Sequence, residues 1–420
     1  MTLLTVRGWS LLGVAVVTYL SARLLGTWEL YLLSFAFMAA LLVSWVLVRT
    51  AGRKLSVTRA LSPERPTAGE PLTLSFHAEN HSLLPGLQVR LAGAAGDLGE
   101  AGRAVDFESL GPRATRVVTE GPLRAMRGVH RLPALVAEVE DPLGLAHTRR
   151  RLADELEFTV YPKIAHLRSC ALFPGLGERR EAGRSGLAAL AGLEFRGIRP
   201  HNPGEPLSHV DWKATAKTGT LMLRETEDPA SGDVTLLLEG SASAIVGEPP
   251  DTNFELAIEA AGSLAAYALR SGRGVTLLLH RRDWDQIRLS ADAGGRQRLL
   301  ETLARAEPHA ALRLGPSLRV LLAGRARVLR ADSLSLVVLS LDRELAQAVI
   351  ALRDEGRQVS VLHVAPDTFT AASQTPEARN LLLSLAAAGV PCLTVSRGDD
   401  LSFALSARGA EPVLLAHGRP

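Results

Sequence analysis

Two places in this 420-residue chain gather side chains able to do chemistry. Asp211-Trp212-Lys213 sets a hydrogen-bond acceptor, a large amphipathic ring and a cation side by side, with Arg196 shortly before them. Such a cluster serves either as a docking surface or as an internal clip. In the first case Arg196, Asp211 and Lys213 present charge around Trp212. In the second the ring packs on a neighbouring domain and Asp211 pairs with Arg196 or Arg199. The other place is Glu239-Gly240-Ser241-Ala242-Ser243, directly after an apolar strand pattern. One carboxylate and two hydroxyls are hard oxygen donors of the type that Mg²⁺ or Mn²⁺ prefers. As a nucleophile Ser241 would need a paired base, and no His or Lys stands near it in sequence; His280 and His363 are distant. The chain also lacks a Gly-x-x-x-x-Gly-Lys-Ser/Thr phosphate loop, a Cys-x-x-Cys pair and a His-Glu-x-x-His motif. The expectation is therefore binding without catalysis.

The elements that must position these residues follow from periodicity. After residue 230 apolar strands alternate with helical stretches. Strands are predicted at 234–238, 275–279, 334–339, 359–364 and 392–395, and helices at 254–270, 296–306, 344–353 and 377–388. Residues 284–289 fit an edge hairpin strand. Strands joined by helices in this order imply an α/β domain with a mostly parallel sheet covered on both faces. Ligands on such sheets sit at the carboxyl ends of the strands. That rule selects 239–243 and, after 334–340, Asp342 as a second carboxylate.

Upstream, residues 55–162 break into short alternating runs such as Leu72-Thr73-Leu74-Ser75-Phe76 and Leu87-Gln88-Val89-Arg90-Leu91, punctuated by Gly and Pro. Repeated short strands predict an all-β sandwich of immunoglobulin-like character, with a turn at Asp141-Pro142-Leu143-Gly144-Leu145. His77, His81, His130 and His147 are scattered without metal-ligand spacing.

Residues 30–48 carry no charge, enough to cross a hydrocarbon core of roughly 30 Å. A shorter apolar run, 8–22, lies between Arg7 and Arg23, whose side chain can snorkel to the interface. Trp9, Trp28, Tyr31 and Trp45 stand near the ends as interfacial anchors. A two-span transmembrane hairpin is expected. A cleaved signal peptide followed by one anchor competes with it, but no small-x-small cleavage site follows the first run. Arg7, Arg49, Arg53, Lys54 and Arg59 flank the outer ends of the hairpin, while its turn holds only Arg23 and Glu29. The positive-inside rule then puts the folded mass in the cytoplasm. The expected division is 1–50 hairpin, 51–165 sandwich, 166–230 connector and signature, 231–420 α/β domain.

The formal net charge is only +3 and no basic-aromatic cluster occurs, which argues against nucleic acid as a partner. Cys170 and Cys392 are too few and too far apart for a disulfide framework.

The stretch 191–228, AGLEFRGIRPHNPGEPLSHVDWKATAKTGTLMLRETED, resembles the signature of the bacterial family called "domain of unknown function fifty-eight". The 141–145 turn is similar to that family's Asp-Pro-Phe-Gly-Leu element. The resemblance implies a membrane-tethered protein with a C-terminal domain of the von Willebrand factor A type, working with MoxR-type AAA+ ATPases and other envelope proteins in assembly or maintenance. A structural tether and an enzyme of unrecognised type are the alternatives. The 239–243 segment resembles the Asp-x-Ser-x-Ser cation motif of A-type domains, which implies Glu239, Ser241, Ser243 and Asp342 as the ligands that could hold Mg²⁺ or another divalent cation. The expectation is a degenerate site without a cofactor, in which Ser241 and Ser243 cap the following helix or satisfy backbone donors. The chain departs from these patterns at four points. His201 and Glu205 stand where the family carries an aromatic and an aspartate, Glu239 replaces the leading aspartate, and the threonine that completes the cation site has no counterpart.

Overall fold

The computed structural model describes residues 2–82, 87–92, 105–173, 194–200, 212–227, 233–282, 284–323, 333–370 and 376–406. The chain forms two compact units, Met1–Tyr161 and Pro162–Pro420.

The first unit opens with strand β1 (Thr2–Leu4) and an antiparallel pair of helices, α1 (Val6–Leu25) and α2 (Trp28–Arg53). Gly26 ends α1 in the left-handed region, φ 69°, where a residue without Cβ turns the chain at no steric cost. The helix seam has a seven-residue repeat of mostly small side chains. Gly8, Ala15 and Ala22 are buried on α1, and Ser34, Leu41 and Val48 on α2. Small residues let the backbones approach, and the Ser34 hydroxyl donates across the seam to the Ala15 carbonyl at 2.8 Å. The remaining faces are apolar and exposed, and Val6–Leu25 and Trp28–Thr50 are long and apolar enough to cross a membrane.

The sandwich follows as β2 (Leu55–Ser62), β3 (Pro71–Asn80), β4 (Leu87–Ala92), β5 (Val105–Leu110), β6 (Thr115–Arg124), β7 (Gly128–Leu132), β8 (Leu135–Glu140), β9 (Ala146–Ala153) and β10 (Leu156–Val160). One sheet runs β1-β9-β8-β4-β5, a second β2-β3-β6, and β7 pairs with β10, all antiparallel. Alternate residues from both sheets, including Leu74, Phe76, Leu91, Phe107, Ala137 and Val139, close one core. The sequence gives no warning of β1, which joins this sheet as an edge strand beside β9.

The predicted 141–145 turn ties hairpin to sandwich. Asp141 is buried, and its carboxylate accepts from the Leu145 and Ala146 amides at 2.7 Å each, from the Leu143 amide at 3.1 Å and from the Ser44 hydroxyl of α2 at 3.0 Å. On the other helix, Thr5 caps α1 through the Gly8 amide while its own amide and hydroxyl donate to the carbonyls of Leu145 and Gly144. Gly8 packs against the same turn, so that an added Cβ would lie 2.2 Å from the Leu145 oxygen.

The second unit begins with residues 162–173, which the division expected from sequence splits between the end of the sandwich, to 165, and the connector from 166. Ile164, Leu167, Leu172 and Phe173 instead pack into the α/β core, and the Ala165 amide donates to the Ser263 hydroxyl at 2.9 Å. A two-stranded ladder, β11 (Glu194–Pro200) with β12 (Met222–Glu227), encloses the short helix α3 (Trp212–Thr218) in sequence.

The α/β sheet is built from β13 (Val234–Leu238), β16 (Val275–His280), β17 (Trp284–Leu289), β18 (Ser333–Val338), β19 (Gln358–Val364) and β20 (Cys392–Val395); β14 (Gly247–Glu248) and β15 (Asp251–Thr252) form a separate small ladder. Its order is β17-β16-β13-β18-β19-β20, parallel except for the antiparallel edge β17. Helices α4 (Asn253–Arg270), α5 (Ala293–Ala304) and the short α9 (Leu401–Ala404) pack on one face; α6 (Leu314–Ala323), α7 (Arg343–Asp354) and α8 (Pro376–Ala387) pack on the other. Because both faces are covered, all five residues of β13 are buried, which is why this strand reads as a continuous apolar run. The first strand at the centre, with later strands added on both sides, is the doubly wound topology of von Willebrand factor A-like domains.

Candidate functional site

In a doubly wound sheet, strand connections diverge at one crevice, here between β13 and β18. Glu239 leaves β13 into that crevice and fills it. The side chain is fully buried. Its Oε2 accepts from the Leu339 amide at 2.7 Å and the Ser340 amide at 3.1 Å, and its Oε1 from the Ser340 hydroxyl at 3.0 Å. Its own amide donates to the Val337 carbonyl at 3.0 Å, so Glu239 pins the two strand ends together. Burial raises its pKa, opposed by hydrogen bonds from Ser241, Leu339 and Ser340.

The loop after Glu239 is clamped as tightly. Gly240 passes so close to β16 that an added Cβ would lie 2.2 Å from the His280 carbonyl oxygen. Backbone bonds join Ala310 to Gly240 and Ala242 at 3.0 Å each. Ser241 is buried and donates to the Leu312 carbonyl at 3.2 Å, with its Oγ 3.5 Å from His280 Nδ1. It makes no side-chain cap to the following turn, and Ser243 is exposed. His280 is buried against the Trp284 ring, centroids 4.9 Å apart, and burial lowers its pKa to about 4, so it is neutral at physiological pH. A small pocket with room for about one water molecule opens here, lined by Glu239, Phe254, His280, Arg281 and Glu307 among others.

These residues do not fit the divalent cation that the Asp-x-Ser-x-Ser resemblance implies. The longer arm of Glu239 reaches the amides beyond β18, so its oxygens are already saturated by protein donors. Asp342 is the N-cap of α7, with Oδ1 accepting from the Leu345 amide at 2.7 Å. The Ser241 hydroxyl is shared among protein neighbours, the Leu312 carbonyl, His280 Nδ1 and Glu239. Among the described residues no group of three or more His, Cys, Asp or Glu could hold a metal. Nor does the Ser241–His280 contact amount to a nucleophile pair: the hydroxyl is buried, and Glu239 orients Ser340 and two amides rather than the imidazole. His280 sits at a strand end, and the strand-end rule that selected Glu239 would have found it too.

The signature residues lie elsewhere in the same unit. Trp212 opens α3 and is 67% exposed. Lys213 beside it is exposed as well. The helix is held to β12 by the Met222 amide, which donates to the Thr215 hydroxyl at 3.0 Å. Gly219, φ 73°, makes the turn between them. Arg196 stands at a bulge of β11, between Phe195 and Gly197. Asp211 lies outside the described residues, as do His201 and Glu205.

Residues 197–365 match a family model described as "Protein of unknown function DUF58". No curated protein matches the chain. Solved structures similar to it include proximal thread matrix protein 1 from the mussel byssus, at 10% identity and TM-score 0.30, covering 42% of this chain and 46% of that one. The chain thus spans less than half of the mussel protein. The SpRpn10 VWA domain matches at 13% identity and TM-score 0.27, covering 41% of this chain and 92% of that one. An aerotolerance-related membrane protein from Bacteroides fragilis, bearing multiple mutations to serines, matches at 14% identity and TM-score 0.28, covering 41% and 93%.

Proposed function

We propose that this chain, whose residues 197–365 match the DUF58 family model, is a membrane-anchored, non-enzymatic adaptor that binds other proteins. The observation that carries the reading is the exposed Trp212 ring on a short helix braced by its own two-stranded ladder. A large aromatic left in water is unfavourable unless a partner covers it, and tryptophan beside a cation is typical of the few residues that dominate protein interfaces. Arg196, Asp211, Trp212 and Lys213 form the binding surface in this reading. The hairpin anchors the chain in the membrane, with both folded units on the cytoplasmic side. The partner is a MoxR-type AAA+ ATPase, and the shared task is assembly or maintenance of envelope components. The saturated crevice at Glu239 supports binding over catalysis.

The test is affinity purification of the detergent-solubilised full chain from its native cells, with and without ATP, beside Trp212→Ala. The expected outcome is recovery of an AAA+ ATPase by the parent chain and its loss from a folded Trp212→Ala chain. Equal recovery by the variant would remove Trp212 from the interface, and absence of the ATPase would overturn the partner. Among the described residues the Ser241–His280 contact is the one feature favouring an enzyme; covalent labelling of Ser241 by a fluorophosphonate would establish that reading instead.

A further inference from the structure

The turn that ties the sandwich to the hairpin stands at a definite depth. From Gly8, where α1 touches Leu145, residues 8–25 rise about 27 Å; from Ser44, bonded to Asp141, residues 28–44 rise about 26 Å. Both lengths are close to the roughly 30 Å of a hydrocarbon core. The two contacts therefore put the 141–145 turn at the edge of the apolar layer that the hairpin defines. At its apex Leu143 is 63% exposed, although Asp141 and Leu145 on either side are buried. Leu3, Val6 and Trp9, at the same end of α1, are exposed apolar residues too. Cations ring this level: Arg7 packs at Gly144, where a Cβ would lie 3.2 Å from its Nη1, and Arg49 lies over the Trp45 ring at 5.1 Å. An exposed leucine in a rigid turn, flanked by tryptophans and arginines, is the composition of a bilayer interface.

We infer that the 141–145 turn is itself a lipid contact. Leu143 enters the interface of the leaflet facing the folded units, while Arg7 and Arg49 meet anionic headgroups. The sandwich is then held against the bilayer at a third point besides the two helices, and Asp141 fixes the depth of all three. The inference rests on the membrane reading of the hairpin, and one experiment separates the two. In a Cys392→Ser background, the variants Leu143→Cys, Val17→Cys and Met126→Cys are labelled with an environment-sensitive fluorophore. Val17 is exposed in the middle of α1, and Met126 follows β6, whose end lies opposite Pro71. Each full-length chain is reconstituted in phosphatidylcholine–phosphatidylglycerol vesicles with spin labels placed either near the headgroup or deep in the acyl chain.

The expected result is a blue shift at position 143 with loss of emission to the shallow quencher, loss at 17 to the deep quencher, and none at 126. Quenching at 17 with position 143 as bright as 126 would overturn the lipid contact and leave the anchor intact. No quenching at 17 would overturn the anchor, and this inference with it.

Discussion

At the end of β13 a single methylene decides what the strand end does. A glutamate carboxylate extends far enough to take the Leu339 and Ser340 amides, closing a crevice that in an open doubly wound sheet receives ligands. Sequence shows the carboxylate at that position but not where its oxygens point, since the acceptors' partners lie a hundred residues away. Trp212 has the same limitation: a tryptophan pattern is equally compatible with burial, and only tertiary packing leaves it exposed. Burial also gives the molecule a pH signature. Glu259 on α4 is pushed up to about 7, mainly by desolvation, with Lys163 opposing and Glu255 reinforcing the shift. A carboxyl raised above its unfolded value stabilises fully below about pH 4.5, and that contribution is lost as pH rises through 7. Glu259→Gln removes the loss. The variant should match the parent near pH 4.5 and exceed it by about 1–3 kcal/mol at pH 8, read as thermal stability across that range. Parallel profiles would contradict the assignment. His280, lowered to about 4, loses stability in the opposite direction as pH falls from 6.5, but this cancels between the two chains.

Among elements, the 141–145 turn has the clearest causal chain. Asp141 satisfies three backbone amides and one hydroxyl, so removing its carboxylate strands several buried donors at once. Asp141→Ala should cost about 2–4 kcal/mol in the melting of the first unit in detergent. The glycines of α1 give a sharper comparison. Gly8→Ala drives a methyl into the Leu145 carbonyl, whereas Gly13 has open space around it. Gly13→Ala should be neutral or stabilise by up to about 1 kcal/mol through helix propensity, and Gly8→Ala should lower the melting temperature. Equal behaviour of the two variants would show that the turn does not bear on α1. The turn itself and most strands of both sheets are legible in sequence, because alternation and Pro-Gly punctuation are local signals. β1, α6 and the packing of residues 162–173 are not: a three-residue edge strand has no period, and a segment without regular structure shows its apolar face only when a helix lies beneath it.

For the whole molecule, the charge asymmetry of the hairpin makes a topological prediction. In intact cells an impermeant maleimide should label Thr27→Cys in the helix turn, and should reach Phe403→Cys on α9 only after permeabilisation, both in a Cys392→Ser background. The reverse pattern would invert the orientation. What the sequence determined alone was the order and type of the layers: an apolar hairpin, alternating strands, then strands interleaved with helices. Each of these follows from periodicities shorter than twenty residues, set by the burial of one face or both. The strand order, with β13 central, and the filling of the crevice by Glu239 were decided by tertiary structure, as were the exposures of Trp212 and Leu143. These depend on which distant segments share a surface, and neither the spacing nor the identity of neighbouring residues encodes that.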